Sequence, residues 1–313
     1  MKKVVRMLGL CALVALAFAS CKKKETNGVT FKAGINQPTS NERTYINYRN
    51  MLAWSNNDKI TVFDANGEYH DFTVFSTGDP MPGEEYNGTF RVTDPALVTF
   101  LGNLDTKESY TAFYPVEGEN VTDGGSGLTV SLVIPNEQAY NTVDEFGLGS
   151  FSPNTYPMFA YNGAGTADSD EFMFHSDAGV VKFGFFNAPD HQIVVTGIVL
   201  TSDDPLVGTI TYPIDYPTNP DYATRAQVGA IANTVTLTCN PGVVLGEGMN
   251  NIKYFNIVLL QGALANGFNV TINGTDNGSA FSHTIYCGIH PEGLNTIAAE
   301  KVTIFVSPLP RPE

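Results

Sequence analysis

Residues 128–134 read Leu128-Thr129-Val130-Ser131-Leu132-Val133-Ile134, so apolar and polar side chains alternate along them. This two-residue period puts the leucines, Val130 and Ile134 on one face of an extended strand. Short segments rich in β-branched and aromatic residues recur along the chain between turn residues, and 30 Gly and 18 Pro suit many tight turns. The chain is therefore predicted to be all-β, with further strands at 109–114, 156–161, 171–175, 179–187, 192–201, 207–213, 234–239, 253–261, 267–273, 281–287 and 301–307.

Turn signals locate individual hairpins. Asn66-Gly67 lies between the apolar segments 59–63 and 71–75, which predicts a hairpin. Asn273-Gly274 and Asn277-Gly278 lie close together between two further strands. Helix is predicted to be scarce. The best candidate is a short helix at 94–101, with Asp94 as N-cap and Pro95 as its first residue, and residues 136–147 could hold another turn.

Composition shifts suggest how the chain is divided. The segment 162–170 is rich in Gly, Ala, Ser and Asp, which is typical of a domain linker. We therefore predict an N-terminal β-sandwich domain at 31–163 and a C-terminal one at 164–313. Residues 21–30 are predicted to be a flexible tether that precedes the first domain.

The N-terminus has the layout of an export signal. A basic start, Met1-Lys2-Lys3, is followed by an apolar run and then by Ala19-Ser20-Cys21. Small residues before a cysteine resemble a bacterial lipoprotein signal. This resemblance implies cleavage after residue 20, acylation of Cys21 by fatty acids such as palmitate, and a lipid anchor in the outer membrane. The alternative is an ordinary cleaved signal, whereas the run is too short to span a bilayer.

The charge of the chain limits its partners. The formal net charge is −15 at pH 7, so the surface repels phosphate backbones and anionic headgroups. We expect no nucleic-acid partner, and attachment to a membrane would depend on lipid. The strong acidity identifies no particular ligand.

Two cysteines, Cys239 and Cys287, remain in the body of the chain. Each lies on an alternating segment that turns its thiol toward the interior. Two interpretations stay open: a disulfide between them, which an oxidising compartment permits, or two small buried apolar side chains.

The search for catalytic groups gives no candidate. The five histidines form no zinc-binding pattern, and no nucleophile elbow surrounds a serine. Acidic residues such as Asp168, Asp170 and Glu171 lack the spacing of a calcium loop. We predict no enzyme activity, no catalytic residue, no metal site and no cofactor.

A series of motifs resembles one protein family. In order, the chain contains Trp54-Ser55-Asn56-Asn57-Asp58-Lys59-Ile60, Ser109-Tyr110-Thr111-Ala112-Phe113-Tyr114-Pro115, Ile134-Pro135-Asn136-Glu137-Gln138, Tyr156-Pro157-Met158-Phe159-Ala160 and Phe174-His175-Ser176-Asp177-Ala178-Gly179-Val180-Val181-Lys182-Phe183. This order resembles the fimbrillin-like lipoproteins of Bacteroides-type bacteria, which include pilus shaft, anchor and tip subunits. The resemblance covers residues 31 to about 215, and beyond that only the rhythm of strands agrees.

The resemblance implies a fold and a role. The fold would be two tandem transthyretin-like Greek-key β-sandwich domains. The protein would be a fimbrial subunit or fimbria-associated adhesin at the cell surface. Its partners would be other fimbrial subunits and receptors on host or bacterial surfaces. Subunits of the pilus shaft assemble by β-strand complementation after an arginine-specific protease removes the first strand.

In this sequence Arg43 and Arg49 are the candidate cleavage sites, and a cut at either would release a predicted strand at 29–33. The alternative is that both arginines are simply exposed in a loop. The candidate donor strand is at the C-terminus, where Val302, Ile304 and Val306 share one face. That strand could equally be the last strand of its own domain. A different kind of protein, a surface glycan-binding lipoprotein for nutrient uptake, is the second hypothesis.

Overall fold

A computed structural model of the protein describes residues 29–35, 59–63, 69–75, 97–102, 110–115, 121–123, 128–142, 149–151, 154–162, 171–214, 227–289, 296–298 and 302–309. These residues form β-strands and one turn of 3-10 helix, Met249–Asn251, with no α-helix among them. The all-β prediction is confirmed, while the Greek-key order of the strands stays a prediction. In the part of the chain described, no helical segment has the length and apolar character needed to cross a bilayer.

In chain order the strands are β1 (Val29–Ile35), β2 (Lys59–Phe63), β3 (Tyr69–Phe75), β4 (Leu97–Gly102), β5 (Tyr110–Tyr114), β6 (Val121–Asp123), β7 (Leu128–Val133), β8 (Glu137–Thr142), β9 (Gly149–Phe151), β10 (Met158–Asn162), β11 (Glu171–Phe174), β12 (Ala178–Asn187), β13 (Ile193–Ser202), β14 (Val207–Pro213), β15 (Gln227–Ala232), β16 (Thr234–Val244), β17 (Lys253–Leu260), β18 (Phe268–Asp276), β19 (Ser279–Cys287) and β20 (Val302–Leu309).

The described strands form four sheets. A seven-stranded sheet has the order β10-β5-β2-β3-β4-β1-β11, and a four-stranded sheet has the order β15-β14-β7-β6. A six-stranded sheet has the order β19-β18-β13-β16-β8-β9, and a three-stranded sheet has the order β17-β12-β20. Most neighbours are antiparallel, but β1 with β11, β12 with β20 and β16 with β8 run parallel.

Aromatic contacts show which sheets face each other. Tyr212 on β14 packs against Phe113 and Phe159 of the seven-stranded sheet, with ring centroids 5.8 and 4.8 Å apart. Phe268 on β18 packs against Phe183 and Phe305 of the three-stranded sheet, at 6.2 and 5.1 Å. Each pair of sheets therefore encloses an apolar layer, as the sheets of a sandwich do.

The six-stranded sheet shows the alternation that its sequence predicts. Leu200, Leu237 and Ile272 are completely buried, and their chain neighbours point to the outer face. The pairing of β13 with β18 shifts between Val195 and Gly197, so Thr196 is the extra residue of a β-bulge there. Against β16 the irregularity is larger, because residues 239–242 lie between the partners of Val195 and Gly197. From Gly197 to Thr201, β13 pairs with both neighbours without a further shift.

The hairpin predictions have different outcomes. β2 and β3 pair antiparallel, with Phe63 opposite Tyr69, which confirms the hairpin around Asn66-Gly67. Asn277-Gly278 is the tight turn between β18 and β19, and both residues have the positive φ, 49° and 82°, that this turn requires. Asn273-Gly274, in contrast, lies inside β18.

The short helix predicted at 94–101 is wrong, because residues from Leu97 onward form β4. This strand pairs with β1 on one side and β3 on the other. Val98, Thr99 and Phe100 all favour a strand. Backbone pairing on both sides outweighs the local helix signal of Asp94-Pro95, which lies outside the described residues.

Strand pairing crosses the predicted domain boundary between residues 163 and 164. β7 and β8 precede this point and pair with β14 and β16, which follow it. β11 follows it and pairs with β1, which also includes Val29 and Thr30 from the predicted tether. The division into 31–163 and 164–313 stays a prediction. If it holds, strands of one unit complete sheets of the other.

Candidate functional site

The N-terminal strand β1 occupies an interior position of the seven-stranded sheet, between β4 and β11. It pairs with β4 over six antiparallel residue pairs and with β11 over four parallel ones. Both edges of β1 are therefore used in backbone ladders. Removing the strand would leave a slot one strand wide, whose two walls carry unpaired N–H and C=O groups. We call this position the β1 slot.

The two candidate cleavage residues follow β1 in the chain. Arg43 and Arg49 lie between Ile35, where β1 ends, and Lys59, where β2 begins, and both are outside the described residues. A cut after either arginine would separate β1, together with Cys21, from the remaining chain. The same cut would thus remove both the predicted lipid anchor and the strand that fills the slot.

The C-terminal strand β20 belongs to the sheet of its own chain. It pairs in parallel with β12, from Val180 opposite Val302 to Asn187 opposite Leu309. Phe305 points inward, with its ring 5.7 Å from that of Phe183. Among the described strands, β20 has no neighbour on its other edge.

The outward face of β20 is apolar and open. Ile304 is 49% exposed and Val306 is 45% exposed, whereas Val302 is half-buried. The alternation predicted from the sequence is therefore present, with Phe305 on the opposite face. The role of these residues in a donor strand stays a prediction.

A small cavity lies between the end strands β19 and β20 of the facing sheets. Its volume is about 170 Å³, and Phe183, Val270, Ile285, Phe305 and Val306 supply most of its wall. Apolar walls of this size suit an aliphatic side chain rather than a reaction.

The two cysteines are not bonded to each other. They lie on β16 and β19, which are separated by β13 and β18. Because neighbouring strands are about 4.8 Å apart, the two Cα atoms are too distant for a disulfide, which requires less than about 7 Å. The disulfide interpretation is therefore wrong. The alternative of buried apolar thiols holds for Cys239, whereas Cys287 is only half-buried. Burial raises the pKa of the Cys239 thiol to about 12.

Two of the described histidines make contacts that join structural elements. His191 Nδ1 lies 2.6 Å from Asp276 Oδ2 and joins the start of β13 to the end of β18. His175 pairs through its backbone with Phe159. Within the described ranges, no three His, Cys, Asp or Glu side chains come together as metal ligands would.

Sequence reasoning found the strand at 29–33 but not its neighbours. The parallel contact between β1 and β11 joins segments that are far apart in the chain, and no local signal encodes it. Alternation alone shows that a strand exists, not where it lies in a sheet.

No family model matches the sequence, and no curated protein matches it. The fold is similar to that of several solved structures. One is a candidate cell adhesion protein from Bacteroides uniformis, with 15% identity, a TM-score of 0.41, and coverage of 92% of this chain and 94% of that one. Another, from Bacteroides ovatus and described in the same words, has 13% identity, a TM-score of 0.45, and coverage of 90% and 92%.

A third solved structure is the tip fimbrial protein Mfa3 of Porphyromonas gingivalis, truncated at its C-terminus. It has 11% identity and a TM-score of 0.31, and the alignment covers 88% of this chain and 94% of that one. The names of these neighbours describe adhesion and fimbrial proteins, not enzymes.

Proposed function

We propose that this protein is a fimbrial subunit or fimbria-associated adhesin of the cell surface, which assembles with other subunits by β-strand complementation. The observation that carries the proposal is the position of β1. It is an N-terminal strand inside a sheet, and the chain segment that follows it contains Arg43 and Arg49. No catalysis is involved.

The energetics of the β1 slot support assembly. Six residue pairs on one wall and four on the other lose their partners when β1 leaves. A buried backbone group without a hydrogen bond costs about 1–3 kcal/mol. The open slot is therefore unstable until another extended segment adds its own N–H and C=O groups.

The proposed donor is the C-terminal strand of a neighbouring subunit. β20 has the necessary length and alternation, and Ile304 and Val306 already face outward. Donation requires Phe305 to leave its place between Phe183 and Phe268. Exchange is thus coupled to local opening of the edge that β20 occupies.

The proposed location follows from Cys21. With lipid on this residue, the uncleaved protein is anchored in the outer membrane and keeps β1 in place. Cleavage after Arg43 or Arg49 releases the anchor and opens the slot together. A subunit that stays uncleaved would be an anchor, and a cleaved one would enter a polymer of like or unlike subunits whose surface contacts host or bacterial receptors.

Limited proteolysis tests the proposal directly. The purified protein is treated with an arginine-specific protease, and the products are followed by N-terminal sequencing and by size-exclusion chromatography with light scattering. We expect a new N-terminus at Thr44 or Asn50, release of the β1 peptide, and a ladder of oligomers. The double variant Arg43→Gln/Arg49→Gln is the matched control, and it should keep β1 attached to the chain that follows it and stay monomeric.

The outcome that counts against the proposal is equally specific. If the protein is cut at these arginines, loses β1 and remains monomeric at high concentration, strand complementation is wrong for this chain.

A further inference from the structure

The outer face of the six-stranded sheet has a regular composition across four of its strands. The outward positions of β16, β13, β18 and β19 form rows, because the register pairs them directly. We call this surface the polar face. In strand order its rows are Thr234, Thr201, Asn269 and Tyr286; then Thr236, Val199, Thr271 and Thr284; then Thr238, Gly197, Asn273 and Ser282.

The polar face is open to solvent. Tyr286 at one corner is 69% exposed, and Thr234, Asn269 and Thr284 are also exposed. The residues between them in the chain point the other way: Val235, Val270 and Ile272 are buried, while His283 and Ile285 on β19 are half-buried. Strands lie about 4.8 Å apart and alternate positions along a strand about 6.8 Å apart, so the face extends about 14 Å in each direction.

Hydrogen bonds across the strands orient the side chains of the polar face. The Thr271 and Thr284 hydroxyls lie 2.9 Å apart, and Ser282 Oγ donates to Asn273 Oδ1 at 2.9 Å. A hydroxyl offers one donor and two acceptor sites. After these cross-strand bonds are made, further donor and acceptor capacity still faces the solvent.

The polar face carries no charged side chain, in a chain whose net charge is −15. At its border Glu137 of β8 lies beside Thr236. The lack of Lys and Arg disfavours phosphorylated or sulfated ligands, and the lack of Asp and Glu disfavours basic ones. Its apolar side chains are Tyr286 and the half-buried Val199, too few for the apolar centre of most protein interfaces.

We propose that the polar face binds a neutral glycan. Rows of hydroxyl and carboxamide groups match the hydroxyl groups of sugar rings, and the exposed ring of Tyr286 can pack on the apolar face of a pyranose. A flat surface of this size suits an extended polysaccharide rather than a single sugar. The assignment goes beyond the proposed fimbrial role, and it depends neither on cleavage nor on strand exchange.

Binding is tested on the uncleaved protein with polysaccharides of defined charge. Affinity electrophoresis through starch, mixed-linkage β-glucan and yeast mannan gives the neutral probes, and heparin gives the sulfated one. We expect retardation by at least one neutral polymer and none by heparin. Thr271→Val and Tyr286→Ala should each weaken that binding by about tenfold, the size of one lost hydrogen bond or ring contact.

The matched control is Thr211→Val, which makes the same change on β14, where the Thr211 hydroxyl lies 3.1 Å from that of Ser131. It should bind the glycan as the unaltered protein does. Circular dichroism checks that each variant is folded. Thr271→Val should still polymerise normally after cleavage, so a loss of glycan binding can be told apart from a loss of fimbrial assembly.

The proposal is overturned if no neutral polymer retards the protein, if heparin alone does, or if both variants bind like the unaltered protein. Loss of self-association in Tyr286→Ala without any glycan binding would also overturn it, because the face would then be a contact between two copies.

Discussion

At Gly274 the chain has no room for a side chain. A Cβ there would collide with the backbone carbonyl oxygen of Val194, on the strand that carries the β-bulge. Backbone atoms cannot move aside as a flexible side chain can. We expect Gly274→Ala to lower the free energy of unfolding by about 2 kcal/mol or more, measured by urea denaturation. Gly229→Ala is the control, since nothing lies within 4 Å of its Cβ position; equal losses in both variants would contradict this explanation.

The Cys239 thiol is predicted to be inert in the folded protein. Burial raises its pKa from 9.0 to about 12, so the thiol stays protonated at pH 8. Iodoacetamide at that pH should modify Cys239 only after unfolding, as measured by mass spectrometry of native and denatured samples. Because the unfolded thiol loses its proton at lower pH than the folded one, this group should also make stability fall as pH rises from 9.0 toward 12. Rapid modification of the native protein would contradict the prediction.

Among the elements, β20 carries Phe305 and Ile304 at neighbouring positions with different surroundings. Phe305 contacts Phe183 and Phe268, whereas its neighbour Ile304 is 49% exposed. We expect Phe305→Ala to destabilise the protein by about 2 kcal/mol and Ile304→Ala by under about 1 kcal/mol, both by urea denaturation. If β20 is the donor strand, Phe305→Ala should also polymerise faster after cleavage, because its strand opens more readily. Faster unfolding without faster assembly would assign the donor to another segment.

The elements that could be predicted from the sequence are those marked by a short local pattern. Alternation identified the strand at 128–134, and Asn277-Gly278 identified a hairpin because its positive φ angles suit that turn. The identical pair Asn273-Gly274 is part of a strand because the bulge on β13 requires a residue without a side chain opposite it. The threonine rows of the polar face likewise depend on the register of four strands, which no single strand encodes.

At the scale of the whole molecule, the candidate site depends on backbone pairing between strands that are far apart in the chain. β1 can be recognised as a strand, but the β1 slot exists only because β4 and β11 flank it. The same is true of β7 and β8, which join sheets with strands from beyond the predicted linker. Pairing between segments so far apart in the chain leaves no local pattern in the sequence. The domain boundary predicted from composition therefore did not anticipate these ladders.

The net charge of −15 gives the last prediction, which concerns assembly. Copies of an acidic chain repel one another, and salt reduces that repulsion over a screening length of about 30 Å at 0.01 M and about 8 Å at 0.15 M. The proposed strand exchange would depend on backbone hydrogen bonds and apolar contacts, which salt screens little. Polymerisation of the cleaved protein, followed by light scattering, should therefore be several-fold faster at the higher salt concentration. The uncleaved double variant Arg43→Gln/Arg49→Gln should show no increase at either concentration. Slower polymerisation at the higher salt concentration would contradict this prediction. It would mean that attraction between complementary charges brings the subunits together, because salt weakens such attraction.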